Sequence, residues 1–113
     1  MTGRGPEARS WLFMRLSGLV LVVLALLHFA LTHIVNDVVE TDFEFVAGRW
    51  ASPFWRTFDW LLLALALLHG LNGVRTIVGD YVASRRARAM LMAGIGGLSG
   101  ALFLLGTLTI VGF

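Results

Sequence analysis

Apolar residues fall along this chain in three long blocks separated by short polar clusters. Leu16 to Asn36 is a run of 21 residues without Asp, Glu, Lys or Arg, and Ala89 to Phe113 is a run of 25. Between them, an uncharged block from Trp60 to Val74 sits inside the interval from Asp59 to Asp80. An α-helix rises about 1.5 Å per residue, so roughly 20 apolar residues cross a hydrocarbon layer of about 30 Å. The first and last blocks meet that length outright, and the middle one does so with its flanks. The pattern predicts an all-α integral membrane protein with three transmembrane helices, at about 12–36, 55–80 and 89–112.

The polar clusters predict the rest of the architecture. Residues 1–10 carry Gly3, Gly5 and Pro6 and read as a loose N-terminal tail. Trp11 and Phe13 then stand where an interfacial aromatic anchor belongs. Residues 37–54 hold four acids and one arginine, a short loop with room for a helical turn on the membrane surface. Trp50, Phe54, Trp55, Phe58 and Trp60 form an aromatic girdle at its far side, and residues 81–88 make the next turn. The first span has no early small-residue cleavage site and reads as a retained helix rather than a signal peptide. No internal repeat divides the chain, so residues 1–113 form one membrane domain.

Composition sharpens this picture. The chain is 58% hydrophobic and 14% charged, with a mean hydropathy of +0.81. Its pI of about 10.5 comes with a net charge of only +2, and all nine basic residues are arginine. Those arginines stand at the ends of spans, as a topology signal does, and form no nucleic-acid patch. Arg4, Arg9 and Arg15 precede or open the first span; Arg75, Arg85, Arg86 and Arg88 cluster at the second turn. The intervening loop has Arg49 and Arg56, and the C-terminus has none. The excess predicts a cytoplasmic N-terminus and an external C-terminus. With no cysteine, the chain forms no disulfide and holds no iron–sulfur cluster by itself. Histidine is the one strong haem or metal ligand left inside the membrane.

Three histidines are available. His69 lies deep in the middle block, and eleven residues later comes Asp80-Tyr81. Eleven helical residues turn within about 20° of three full turns, so His69, Gly73, Thr76 and Asp80 share one stripe. An idle imidazole in lipid is costly, and imidazole is the commonest axial ligand of haem iron, so His69 is a haem-ligand candidate. Gly70 and Gly73 are expected to give a flat ring room beside the helix. His28 and His33 point about 140° apart and cannot serve one pocket. His28 shares a stripe with Ser17, Leu21, Leu24 and Thr32 and is the second ligand candidate; His33, beside Asn36 and Asp37, reads as interfacial. Counted from the arginines, the two candidate ligands differ in depth by roughly 10 Å, which suits two haems better than one. Arg75 either snorkels to the interface or pairs with a haem propionate. Tyr81 and Asp80 suit hydrogen bonding and proton delivery to a quinone near cytoplasmic water, with Arg15 and Ser17 in the same or a neighbouring pocket. Small-residue rows in the last block, Ala93-Gly97-Ala101 and Gly96-Gly100, suit close helix packing.

With these residues in place, the chain resembles the D-type hydrophobic anchor subunit of succinate dehydrogenase, respiratory complex II. The specific match is His69 followed by Asp80-Tyr81 on the second of three helices. WLFMRLSG (11–18), FVAGRWASPFW (45–55) and HGLNGVRTIVGDY (69–81) are similar to anchors of actinobacterial, di-haem, menaquinone-reducing enzymes. The resemblance implies that His69 ligates the cytoplasmic-side haem b and His28 the outer one. It also implies a C-type partner anchor, an iron–sulfur subunit and a flavoprotein subunit, in a bacterial cell membrane, with higher oligomers of the complex left open. Succinate, flavin and cluster sites would lie in those partners. A fumarate reductase anchor is the near alternative; a haem-free structural bundle and a small proton channel using His28, His69 and Asp80 are the distant ones.

Overall fold

The computed structural model describes residues 5–112. Helix α1 runs Pro6–Ala30 and continues through a π-helical turn, Leu31–Val35. A 3₁₀ turn, Val38–Glu40, and a short helix α2, Phe43–Trp50, follow. Helix α3 is Pro53–Tyr81 and α4 is Arg85–Gly112. Three helices, Pro6–Val35, Pro53–Tyr81 and Arg85–Gly112, are long and apolar enough to cross a membrane. The bundle measures 49 Å along its longest axis.

The helices outrun the apolar blocks at several ends, because hydropathy marks the hydrocarbon layer and not the length of a helix. The expected loose tail at 1–10 is corrected from Pro6 onward, where α1 begins. Proline at the first helical position lacks only a donor that would be unpaired anyway, and Glu7 in the first turn complements the helix dipole. Residues 1–4, including Arg4, lie outside the described part. At the other polar turn, Arg85, Arg86 and Arg88 belong to α4, leaving 82–84 as the connection. Ser84 Oγ accepts from Ala87 N at 3.3 Å, satisfying one of the orphan donors there.

The acidic loop is more ordered than its composition suggests. Asp37 accepts from Val39 N and Asp42 from Phe45 N, both at 3.0 Å, so each acid caps a helical turn. Proline again opens a helix at Pro53.

Helix α3 is central, with α1 packed on one side and α4 on the other. The α1–α3 seam is antiparallel and keeps one register: Ser10 meets Asn72, Met14 meets Gly73, Gly18 meets His69, and His28 meets Asp59. On the α4 side, Trp60 Nε1 donates to Thr107 Oγ1 at 3.0 Å, and a Cβ on Gly106 would meet Leu63. Of the small-residue rows, Gly96 and Gly100 line the α3–α4 cleft with Ala64 and Phe103, whereas Ala93, Gly97 and Ala101 are exposed.

Among the described residues only Ile110, Ser17 and Thr32 are buried. Leucines such as Leu19, Leu26 and Leu98 face outward. In lipid such faces carry no hydrophobic penalty, and the seams are held by close packing and hydrogen bonds instead.

Candidate functional site

Two polar constellations sit at different levels of the α1–α3 seam. At the level nearer the α1 N-terminus, Ser17 Oγ lies 2.7 Å from His69 Nδ1. Ser17 is 5% exposed and also reaches the Met14 carbonyl at 3.3 Å. A hydroxyl has one proton to give. With that proton on the Met14 carbonyl, Nδ1–H of His69 donates to Oγ and Nε2 keeps its lone pair. Among the described residues Nε2 takes no hydrogen bond. Gly18 completes the cradle: a Cβ there would meet His69 Cε1 at 3.4 Å.

Gly70 faces open space, and Gly73 lines an open groove with Met14 Cε 3.4 Å from where a Cβ at 73 would lie. The close approach that matters for the imidazole is Gly18, on the neighbouring helix. The cause is register between helices, which the periodicity of α3 alone does not report.

Eleven residues along α1, His28 faces the start of α3. Its Nδ1 is 3.6 Å from Asp59 Oδ1, beyond hydrogen-bond length, and it is buried with no hydrogen-bond partner. Asp59 is tightly held. Arg49 grips it with a fork, Nη1 to Oδ2 and Nη2 to Oδ1 at 3.1 Å each, and Trp50 Nε1 donates to Oδ2 at 2.7 Å. The guanidinium of Arg49 also lies 5.0 Å from the Trp55 ring centre. The Arg56 Nε donates to the Trp50 carbonyl. This cluster ties α2 to the head of α3 and was not singled out by sequence. Its signal was an acid at the mouth of an apolar run, where a carboxylate needs a partner.

The two levels are well separated. Ser17 and His28 are eleven residues apart on α1, and Asp59 and His69 ten apart on α3, which is about 15 Å along either axis. That exceeds the roughly 10 Å expected from arginine positions. His33 lies outside both constellations: it is exposed, stacks on Phe29 at 4.4 Å and sits 2.8 Å from Thr32 Oγ1. Among the described residues no group of three or more His, Cys, Asp or Glu is placed to hold a metal ion.

The Asp80 end forms a third feature. An open groove of about 780 Å³ between α1 and α3 is lined by Trp11, Met14, Gly73, Thr76 and Asp80, with Glu7 and Arg75 among its other walls. Gly73, Thr76 and Asp80 thus share a face, as their spacing predicts. Tyr81 is 84% exposed and does not line the groove. Arg75 Nη2 donates to Ser10 Oγ at 3.1 Å and Asn72 Oδ1 at 2.8 Å. Arg15 stacks on Trp11, a residue of the groove wall, 4.4 Å from its ring centre, and does not line the groove itself. Ser17 stands about 16 Å from Asp80 along α3 by its contact with His69, so it belongs with the histidine and not with the Asp80-Tyr81 pair.

Comparison with known proteins bears on what this arrangement serves. Residues 3–111 match the family model of the succinate dehydrogenase/fumarate reductase transmembrane subunit. The chain belongs to that family, and is thus a membrane anchor subunit of an oxidoreductase complex. It is similar to the succinate dehydrogenase hydrophobic membrane anchor subunit of Archaeoglobus fulgidus, 31% identical over 87 residues, covering 77% of this chain and 74% of the relative. It is also similar to the subunit of the same name from Rickettsia felis, 27% identical over 91 residues, covering 79% and 72%.

Proposed function

We propose that the chain is the D-type anchor of a di-haem succinate:menaquinone oxidoreductase, in which His69 and His28 would each hold one b haem. The observation that carries this reading is the pair of imidazoles at two levels of one seam. Each has its Nδ1 directed into the chain, at Ser17 or toward Asp59. Ligating histidines in metalloproteins are oriented in this way by a partner on the other ring nitrogen. His69 is the ligand on the cytoplasmic side and His28 the ligand on the outer side, with the N-terminus cytoplasmic. Because each would contribute one nitrogen, a C-type partner anchor would supply the remaining ligands. A bound haem supplies one-electron storage between the iron–sulfur donor and the quinone.

The chain's own residues do the rest. Ser17 and Gly18 hold the His69 ring in place. Arg75, at the cytoplasmic end of the seam, is available to a propionate, with Ser10 and Asn72 steadying its guanidinium. The groove at Asp80 has the volume of a small-molecule site. Asp80 there is placed to pass protons from cytoplasmic water, with Trp11 in the groove wall and Arg15 stacked on that ring, and Tyr81 serves a quinone approaching from the partner side. Succinate oxidation belongs to the flavoprotein subunit and electron relay to the iron–sulfur subunit. The same anchor also suits a fumarate reductase, since nothing in its geometry sets direction.

The test is haem b counted per flavin in the purified complex, with dithionite-reduced spectra. A b-type absorption band that halves in His69→Ala, and halves independently in His28→Ala, is the expected result. A complex with no haem band, or with haem unaffected by either substitution, would sink the reading.

A further inference from the structure

The least explained group in the molecule is Asp59. It is a carboxylate at the head of a membrane span, with only 10% of its side chain exposed. Charges at such depth are retained where they are paired and used. The Arg49 fork supplies the pairing, and a count of lone pairs shows what is left over. Oδ2 accepts twice, from Arg49 Nη1 and Trp50 Nε1, whereas Oδ1 accepts once, from Arg49 Nη2. The spare acceptor position is therefore on Oδ1, the oxygen nearest His28. Facing it at 3.6 Å is His28 Nδ1, a buried nitrogen with no hydrogen-bond partner.

Two lone pairs placed there would repel; a proton on Nδ1 makes the contact attractive. We infer that Asp59 is a positioning residue that sets the tautomer and orientation of His28, with Nδ1 protonated toward the carboxylate and Nε2 free to ligate. This rests on His28 as an axial ligand. The consequence is electronic as well as geometric. A carboxylate behind a ligating imidazole raises its basicity and favours the more positive, ferric state. Arg49 and Trp50 fix the carboxylate's direction, so α2, a surface helix, governs a ligand in the membrane. His69 has a neutral hydroxyl in the equivalent place, so the two sites differ in kind.

Asp59→Asn in the complete complex separates this from a packing role. Asparagine keeps the size and an oxygen for Arg49, but loses the charge and turns an amide N–H toward His28 Nδ1. That N–H favours the wrong tautomer. The expected result is a rise in the midpoint potential of the His28-dependent haem, a shift in its low-spin ferric resonance, and retention of that haem weakened about 10- to 100-fold. The His69-dependent haem should be unchanged, and Asp59→Glu should restore the potential at least in part. Unchanged potentials and resonances in Asp59→Asn, with both haems present, would overturn the inference and leave the His28 assignment standing. Loss of both haems without rescue by Asp59→Glu would assign the cluster to folding alone and overturn it as well. If His28→Ala retains every haem, the ligand reading falls and the inference falls with it.

Discussion

The two ends of the α1–α3 seam solve one problem in opposite ways. Around His69 the helices are close: a glycine faces the ring, and a serine hydroxyl holds Nδ1 at 2.7 Å. Around His28 the imidazole faces charge instead, a carboxylate 3.6 Å from its nitrogen that a forked arginine and a tryptophan of α2 hold in place. The first arrangement is neutral and depends on contact. The second is ionic and depends on a helix outside the span. Steric changes should therefore be felt at the His69 end and charge changes at the His28 end.

The largest effect expected from this contrast is His69→Ala, which should remove about half of the haem b while the His28 site persists. Haem per flavin and the reduced absorption band decide it, and unchanged content refutes the assignment. Next comes Gly18→Leu. A Cβ at 18 is tolerable at 3.4 Å, but further carbons collide with the imidazole. Overpacking of this kind costs about 1–3 kcal/mol, so the His69-dependent haem should be depleted while the other stays. Equal loss from both sites would erase the distinction between the ends. Ser17→Ala should be milder, since one hydrogen bond between neutral groups contributes about 0.5–1.5 kcal/mol. Haem titration should show the His69 site weakened about tenfold, with the ring still in place. The smallest structural change is Tyr81→Phe, which should slow quinone reduction several-fold with haem content intact. Unaltered steady-state kinetics would place the quinone away from this residue.

Much of this arrangement was visible in the order of residues, and the boundary of what was visible has a physical cause. Properties of one helix were readable. The three spans, the stripe from His69 through Gly73 and Thr76 to Asp80, and the stripe from Ser17 to Thr32 all follow from the pitch of a single helix. Properties of a pair of helices were not. That Ser17 meets His69, that Gly18 faces the imidazole, and that Asp59 lies opposite His28 depend on seam register. Register is settled by Ser10 with Asn72 and by the small residues along the contact, and no periodicity announces it. The helix ends lie beyond the apolar blocks for another reason. Arginines and the Pro6-Glu7 start suit helical geometry as well as apolar residues do, while lying outside the layer that hydropathy detects.

The scarcity of burial has a consequence for the life of the protein in the cell. A chain in which Ile110 is the sole buried hydrophobic side chain among the described residues presents nearly all its apolar surface to lipid or to other subunits. Further free energy is gained on assembly with the other subunits, and that gain depends on how much partner is present. A copy made in excess would be an orphan, its apolar faces left without the subunits that cover them and ready for degradation. Matched synthesis of the subunits is then a requirement of the architecture itself.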